Sequence, residues 1–302
     1  MKKKYKMIPE GNMYRVEALR DFGNVKKGDV GGLVENECNL SHNGTCWIYD
    51  NAQVSGNAQV FEDARIYGQA KVYGNAQISG KAMIFGNVQI YDNAQIYGKV
   101  MVHNDARVYG DAVIFGNACI CDDAKIYGKA RVFGSARVGD CVKVYGRAAA
   151  FDNARVREKA VIYGNASVYE NAQVRNRARV YGSARIRGNA EIFDKAKVYG
   201  DVIIYDSVRV YDKAVIFGSI AVHGSAEIGD CAEISSEADY IVFKNWWSSG
   251  RYFTWTKSNN MWRVGCFFGS GEELIKKAYS DSEDKGKQYE KIVRYVESIN
   301  VP

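Results

Sequence analysis

The sequence predicts an all-β fold: a triangular parallel β-helix, a solenoid of ten to eleven coils, followed by a small C-terminal α+β module. Three observations carry this. A six-residue unit recurs from Cys46 to Ala238 without insertion or deletion, as in AKVYGN (70–75), AQIYGK (94–99) and ARVYGD (106–111). An aliphatic residue falls on every multiple of six from Ile48 to Ile234; of these 32 positions, 31 hold Val or Ile and one holds Ala150. Two residues before each stands a small residue: 25 Ala, 5 Val, Ile220 and Cys46.

Call the aliphatic position i. In an extended chain i−2 and i face one side, and i−1 and i+1 face the other. Each unit is therefore a very short strand that turns a small and a β-branched residue inward. The next two residues are turn formers, such as Gly-Asn, Gly-Asp, Gly-Lys, Asp-Asn or Gly-Ser. Gly, Asn and Asp tolerate the positive φ that a sharp corner needs. A helix needs a period of about 3.6, which a six-residue unit bounded by turns does not supply. An antiparallel meander needs longer strands. Three strands and three corners close a coil of 18 residues, so 32 copies make between ten and eleven coils. Parallel stacking at about 4.8 Å gives a prism roughly 50 Å long.

Residues 1–45 read as an N-terminal cap, because an open solenoid end exposes core and unpaired strand edge. Val34 and Leu40 are six apart and suit early coil positions; Leu40 to Ile48 is eight, so two residues are inserted near Ser41-His42-Asn43-Gly44. Residues 46–238 are the β-helix. From Asp239 the composition changes, with four of the five Trp in 240–262. A strand at 240–244, a hairpin RYFTWT-KSNN-MWRVGCFF and two helices, one from Gly271 and one over 287–298, make 239–302 a small α+β module. Its plainer reading is a second cap. Its sharper reading is a recognition head, in which Trp246 and Trp247 beside Arg251 stack on a ligand.

The repeat resembles the hexapeptide-repeat, left-handed β-helix superfamily, whose units follow aliphatic-x-x-x-small-x. That resemblance covers about two thirds of the chain and implies the left-handed winding and a homotrimer. The segment DFGNVKKGDVGGLVENECNLSHNGTCWIYDNA (21–52) is similar to the start of YdcK-like hexapeptide proteins of bacteria and phages, which carry the label of acyltransferase. The tail is similar to those of phage and Firmicute proteins, which implies a phage or prophage origin. Composition agrees with a folded chain: 47% hydrophobic, 25% charged, 30 Gly against 2 Pro. No run of 18 apolar residues and no signal-peptide h-region stand in the sequence. Seven Cys without paired spacing suit a reducing compartment, so a cytoplasmic location is expected. A net charge of +6 is too weak to argue for nucleic acid.

Counting every third repeat sorts the outward i+1 residues into three faces. The first carries an unbroken aromatic column: Tyr73, Tyr91, Tyr109, Tyr127, Tyr145, Tyr163, Tyr181, Tyr199 and Phe217. Stacked rings stabilise such a ladder by roughly 0.5–1.5 kcal/mol a pair, and the column also suits an oligomer interface. Beside it at i−1 run Lys71, Arg107, Lys125, Lys143, Arg179 and Lys197, which suit cation–π contact with the rings. The second face carries Phe115, Phe133, Phe151 and Tyr169 in sequence. The third face breaks its column at His103, Cys121, Gly139, Arg157 and Arg175, with Cys119, Arg137, Arg155 and Gln173 beside it. Arg137, Arg155, Arg157 and Arg175 thus crowd adjacent coils, and guanidinium groups in such a cluster suit a phosphate or carboxylate. His103 and Cys121 border this candidate anion site.

Acyltransferases similar to this superfamily place a His on a coil face as general base, with coenzyme A between neighbouring prisms. His103 is the best placed of the three His for that role. The loops that wall such a pocket are missing from 46–238. Cys119-x-Cys121 with His103 lacks a fourth ligand for structural zinc, so no metal is expected. The reading is a non-catalytic binding scaffold without a cofactor, whose contact surfaces are the arginine cluster and the Trp-rich tail. Its alternatives are an acyl-CoA-dependent acyltransferase and a phage protein that sequesters a phosphate-bearing host nucleotide. The expected partners are further copies of the chain and a phosphate-bearing small molecule or a host protein.

Overall fold

A computed structural model describes residues 3–246 and 249–299. Each repeat forms a short strand that starts at i−1, two residues long except for the four-residue Met83–Gly86 and Met101–Asn104, and successive repeats fall on three different sheets. Gln53–Val54 pairs in parallel with Lys71–Val72, and that strand with Gln89–Ile90, so residues eighteen apart lie in register. The three sheets hold 14, 11 and 10 strands, and together they form a parallel β-solenoid consistent with a hexapeptide-repeat β-helix. Every residue at i and i−2 from Cys46 to Ile234 is buried. Each buried Val or Ile contributes about 1.5–3 kcal/mol of apolar burial, and the Ala at most i−2 positions suits the narrow interior of the triangle.

The corners are built from more than permissive backbone. Gly74 and Gly110 have φ of 71° and 70°, but Asp92, Asp140 and Glu170 hold φ of 57°, 56° and 57° as well. Left-handed backbone costs a non-glycine residue about 1–2 kcal/mol. The carboxylates offset it. Along most of the stack the N–H at i+1 and i+3 donates to the next coil, as from Tyr73 to Ile90 and from Asn75 to Asp92. The N–H at i+2 receives a side chain instead: Gly110 N donates to Asp92 Oδ2 at 3.0 Å, Glu158 N to Asp140 Oδ2 at 2.8 Å and Gly188 N to Glu170 Oε2 at 2.8 Å. A ladder of amides runs beside one corner, from Asn57 to Asn75 to Asn93 to Asp111, at 3.1, 3.0 and 3.0 Å.

The N-terminal residues extend the first sheet. Tyr5–Glu10 and Met13–Ala18 form a hairpin, and Val30–Val34 joins it to Gln53–Val54. Val34 pairs with Val54 and Leu40 with Val60, each twenty residues on, whereas Ile48 pairs with Ile66, eighteen on. That difference is the two-residue insertion near Ser41. Lys4, Tyr5 and Trp47 are buried over this end.

At the other end Tyr240–Lys244, Tyr252–Thr256, Met261–Val264 and Phe267–Gly269 form an antiparallel sheet covered by helices α1 (Gly271–Asp281) and α2 (Glu283–Ile299). The stretch MWRVGCFF is two strands rather than one, because Gly265 at φ 59° turns the chain between them. Helix α2 starts four residues before the expected Lys287. Gly286 lies inside the helix and lets the Tyr279 ring pack where a Cβ would overlap it. None of the described helices is long and apolar enough to cross a membrane.

Candidate functional site

The first face holds the expected ladder. From Tyr73 to Phe217 every successive pair stacks, with centroids 4.7–5.5 Å apart. Burial of the rings pushes the pKa of Tyr109 and Tyr127 above that of an ordinary phenol, so both stay protonated to higher pH. The basic side chains beside this column do not lie over the tyrosines. Among the described residues the cation–π contacts of the coils fall on the other two faces, as with Arg131 over Phe115 and Phe133 and Arg187 over Tyr205. On the second face Tyr97, Phe115, Phe133, Phe151 and Tyr169 stack in turn.

The third face divides the four arginines. Arg175 donates to Glu191 Oε2 at 3.3 Å and lies 4.1 Å over Phe193. Arg209 reaches Glu191 and Glu227, and Arg263 of the C-terminal sheet reaches Glu227 at 3.1 Å and covers Tyr211. Arg175 therefore begins an Arg–Glu–aromatic network, three arginines sharing two glutamates, that ties the solenoid to its C-terminal sheet. Arg157 donates to Gln173 Oε1 at 2.9 Å. Arg137 and Arg155 pair in register on adjacent coils, are exposed, and have no acidic partner among the described residues.

A diagonal rule explains the division. A side chain at i+1 meets the i−1 side chain of the next coil, sixteen residues on: Arg157 with Gln173, Arg175 with Glu191, His103 with Cys119. On that diagonal Arg155 falls opposite Gly139, which offers no side chain, and Arg137 falls opposite Cys121. Glu191 and Glu227 are the functional neighbours that column counting missed; reading the i−1 column past Gln173 finds both.

His103 stacks on Phe85 at 4.8 Å and 4°, and its Nε2 lies 3.6 Å from Cys119 Sγ. A hydrogen bond from Cys121, followed by His103 and the charge of Arg137, holds the Cys119 thiol down to about 6. Cys121 moves the other way, first through that same bond, then through burial and Asp122. Its thiol occupies the notch at Gly139, where a Cβ would sit 2.7 Å from Cys121 Sγ. His42 is structural: it stacks on Tyr5 at 4.3 Å, accepts from Lys4 N at 3.2 Å and bonds Glu37. His223 stacks on Tyr205.

In the tail, Trp246 is 72% exposed. Lys244 rather than Arg251 lies over its ring, at 3.8 Å, and Arg251 packs near Gly265. Trp247 lies outside the described residues. A shallow groove of about 490 Å³ follows the corner beside the third face, where Lys159, Arg177 and Lys195 alternate with Asp140, Glu158 and Asp194. Among the described residues no group of three His, Cys, Asp or Glu is arranged to hold a metal ion. Set against known proteins, the chain matches no family model and no curated protein.

Proposed function

We propose that the protein is a β-helical binding scaffold of the hexapeptide-repeat kind, similar to the YdcK-like proteins, and that its third face binds a phosphate-bearing anion. The observation that carries this reading is the in-register pair Arg137 and Arg155, exposed and without an acidic partner among the described residues, with Arg157 one position away. Like charges stacked at about 4.8 Å repel, and a doubly charged oxyanion bridging two guanidinium groups removes that cost. Arg175 is not part of the binding set in this reading, because Glu191 and Phe193 already occupy it.

The test is calorimetry on the full chain with inorganic phosphate, pyrophosphate and a nucleotide panel. Arg137→Ala with Arg155→Ala should weaken binding at least about tenfold, the loss of about one charge-assisted contact, while Arg185→Ala on another face should not. No binding by any of these anions would end the proposal. Coenzyme A binding lost in His103→Ala would instead favour acyl transfer. The chain assembles as a homotrimer in this reading. The second face supports that, since Arg131 and Arg185 are the only charged residues in its i−1 column, which otherwise holds Gln59, Gln77, Gln95, Val113, Ala149, Ser167, Ile203 and Ala221 beside the stacked rings; a light-scattering mass of one chain would remove the assembly.

A further inference from the structure

A second cluster on the third face has chemistry that anion binding does not use. Cys119 and Cys121 flank Ile120 at i−1 and i+1, so both thiols point outward. Both are partly exposed, and each shifts the acidity of the other. His103 presents Nε2 to Cys119 at 3.6 Å, and the Phe85 ring fixes the plane of its imidazole. Arg137 pairs with Cys119 in register and adds a positive charge. The bare backbone at Gly139 leaves room for the Cys121 thiol. An imidazole and a guanidinium thus converge on one sulfur beside a second thiol, which is the environment that creates a reactive thiolate.

We propose that Cys119 and Cys121 form a peroxide-reactive dithiol, with Cys119 as the attacking thiolate, Cys121 as the resolving thiol and His103 as the holder of the proton. The oxidant is a hydroperoxide, ROOH. Cys119 Sγ attacks the terminal peroxide oxygen, the O–O bond breaks, and RO⁻ leaves as ROH with the proton from His103. Cys119 becomes a sulfenic acid. Cys121 then loses its proton and attacks Cys119 Sγ; the S–S bond forms and water leaves. Two thiols and ROOH give one disulfide, ROH and water.

The two thiols are matched to these roles. Cys119, beside the imidazole of His103 and the guanidinium of Arg137, is held down to about 6, which favours its thiolate as the attacking form. Cys121 is held up chiefly by its bond to Cys119, and that restraint disappears once Cys119 is oxidised. Two residues of strand put the Cα atoms about 6.6 Å apart, near the long limit for a disulfide. A bridge at that limit is readily reduced, so the site cycles with a thiol reductant. The proposal does not rest on anion binding, which needs Arg137 and Arg155 but neither thiol.

The test is hydrogen peroxide titration of the reduced full chain at neutral pH, read by peptide mass spectrometry. The expected result is an intramolecular Cys119–Cys121 disulfide forming about tenfold faster than oxidation of the exposed Cys38, Cys141, Cys231 or Cys266. Cys121→Ser should accumulate a dimedone-trappable sulfenic acid at Cys119, and Cys119→Ser should abolish both products. His103→Phe keeps the ring stack on Phe85 and should move the pH profile of Cys119 alkylation by iodoacetamide upward. Oxidation of Cys119 no faster than the other exposed thiols overturns the site. An unmoved alkylation profile in His103→Phe overturns the role of the imidazole.

Discussion

Asp140 stands at a corner with φ 56° and accepts the N–H of Glu158 at 2.8 Å. Its side chain thus supplies an acceptor to a backbone group that the coil-to-coil ladder leaves out. Asp140→Ala keeps a Cβ in the left-handed region and removes the acceptor, so it should lower stability by about 1–2 kcal/mol. Asp140→Asn keeps an oxygen in place and tolerates the same φ, so it should lose much less. Urea denaturation separates the two, and equal losses would show that the corner bond is not what the residue contributes. Asp122 occupies the equivalent place one coil earlier. Its carboxyl is held below the usual range by the Cys121 thiol first, then by the N–H of Asp140 and by Asn104. A carboxylate with a lowered folded value adds stability above its unfolded value, and that stability is lost as pH falls through the folded one. Acid therefore loosens this corner only below the ordinary value of 3.8.

At the scale of one element, the tyrosine ladder and the strand beneath it share a spacing. The rings of Tyr109, Tyr127 and Tyr145 are 4.9 and 4.8 Å apart and within 5° of parallel. Tyr127→Ala removes two stacks from the middle of the column, so it should cost about 1–3 kcal/mol; Tyr127→Phe keeps both rings stacked and should cost under about 0.5 kcal/mol. Thermal melts of the two variants measure the difference, and similar losses would assign the effect to the hydroxyl. These columns are legible in the sequence because strand parity and an uninterrupted period of eighteen fix which side chains overlie one another. The arginine cluster is legible as a location for the same reason. Its internal division is not, because it depends on how an i+1 side chain leans onto the i−1 residue sixteen positions later. That lean gives Arg175 to Glu191, gives Arg157 to Gln173, and leaves Arg155 facing Gly139. The pairing of His103 with Cys119 is hidden by the same geometry. In the tail, the early start of α2 is hidden because Gly286 is a helix breaker by propensity and a packing residue in place.

Across the whole molecule, each coil depends on the next for its acceptors, so the last coil needs an acceptor from elsewhere. The C-terminal sheet supplies it: Glu227 N donates to Thr254 Oγ1 at 3.0 Å, and Glu233 N to Ser258 Oγ at 2.7 Å. Arg263 adds an ion pair to Glu227 at 3.1 Å. The hydroxyls thus continue the ladder of the solenoid into a sheet with a different architecture. Thr254→Val with Ser258→Ala removes both acceptors and leaves two backbone N–H groups unpaired, at about 1–3 kcal/mol each where they are shielded from water. A stack of nearest neighbours does not spread that loss evenly. Amide exchange should accelerate in the terminal coil, over 219–238, and stay unchanged around Tyr109 to Tyr145, several coils away. Uniformly faster exchange along the whole stack would mean that the coils open as one cooperative unit, and the picture of a solenoid closed coil by coil from its ends would fail.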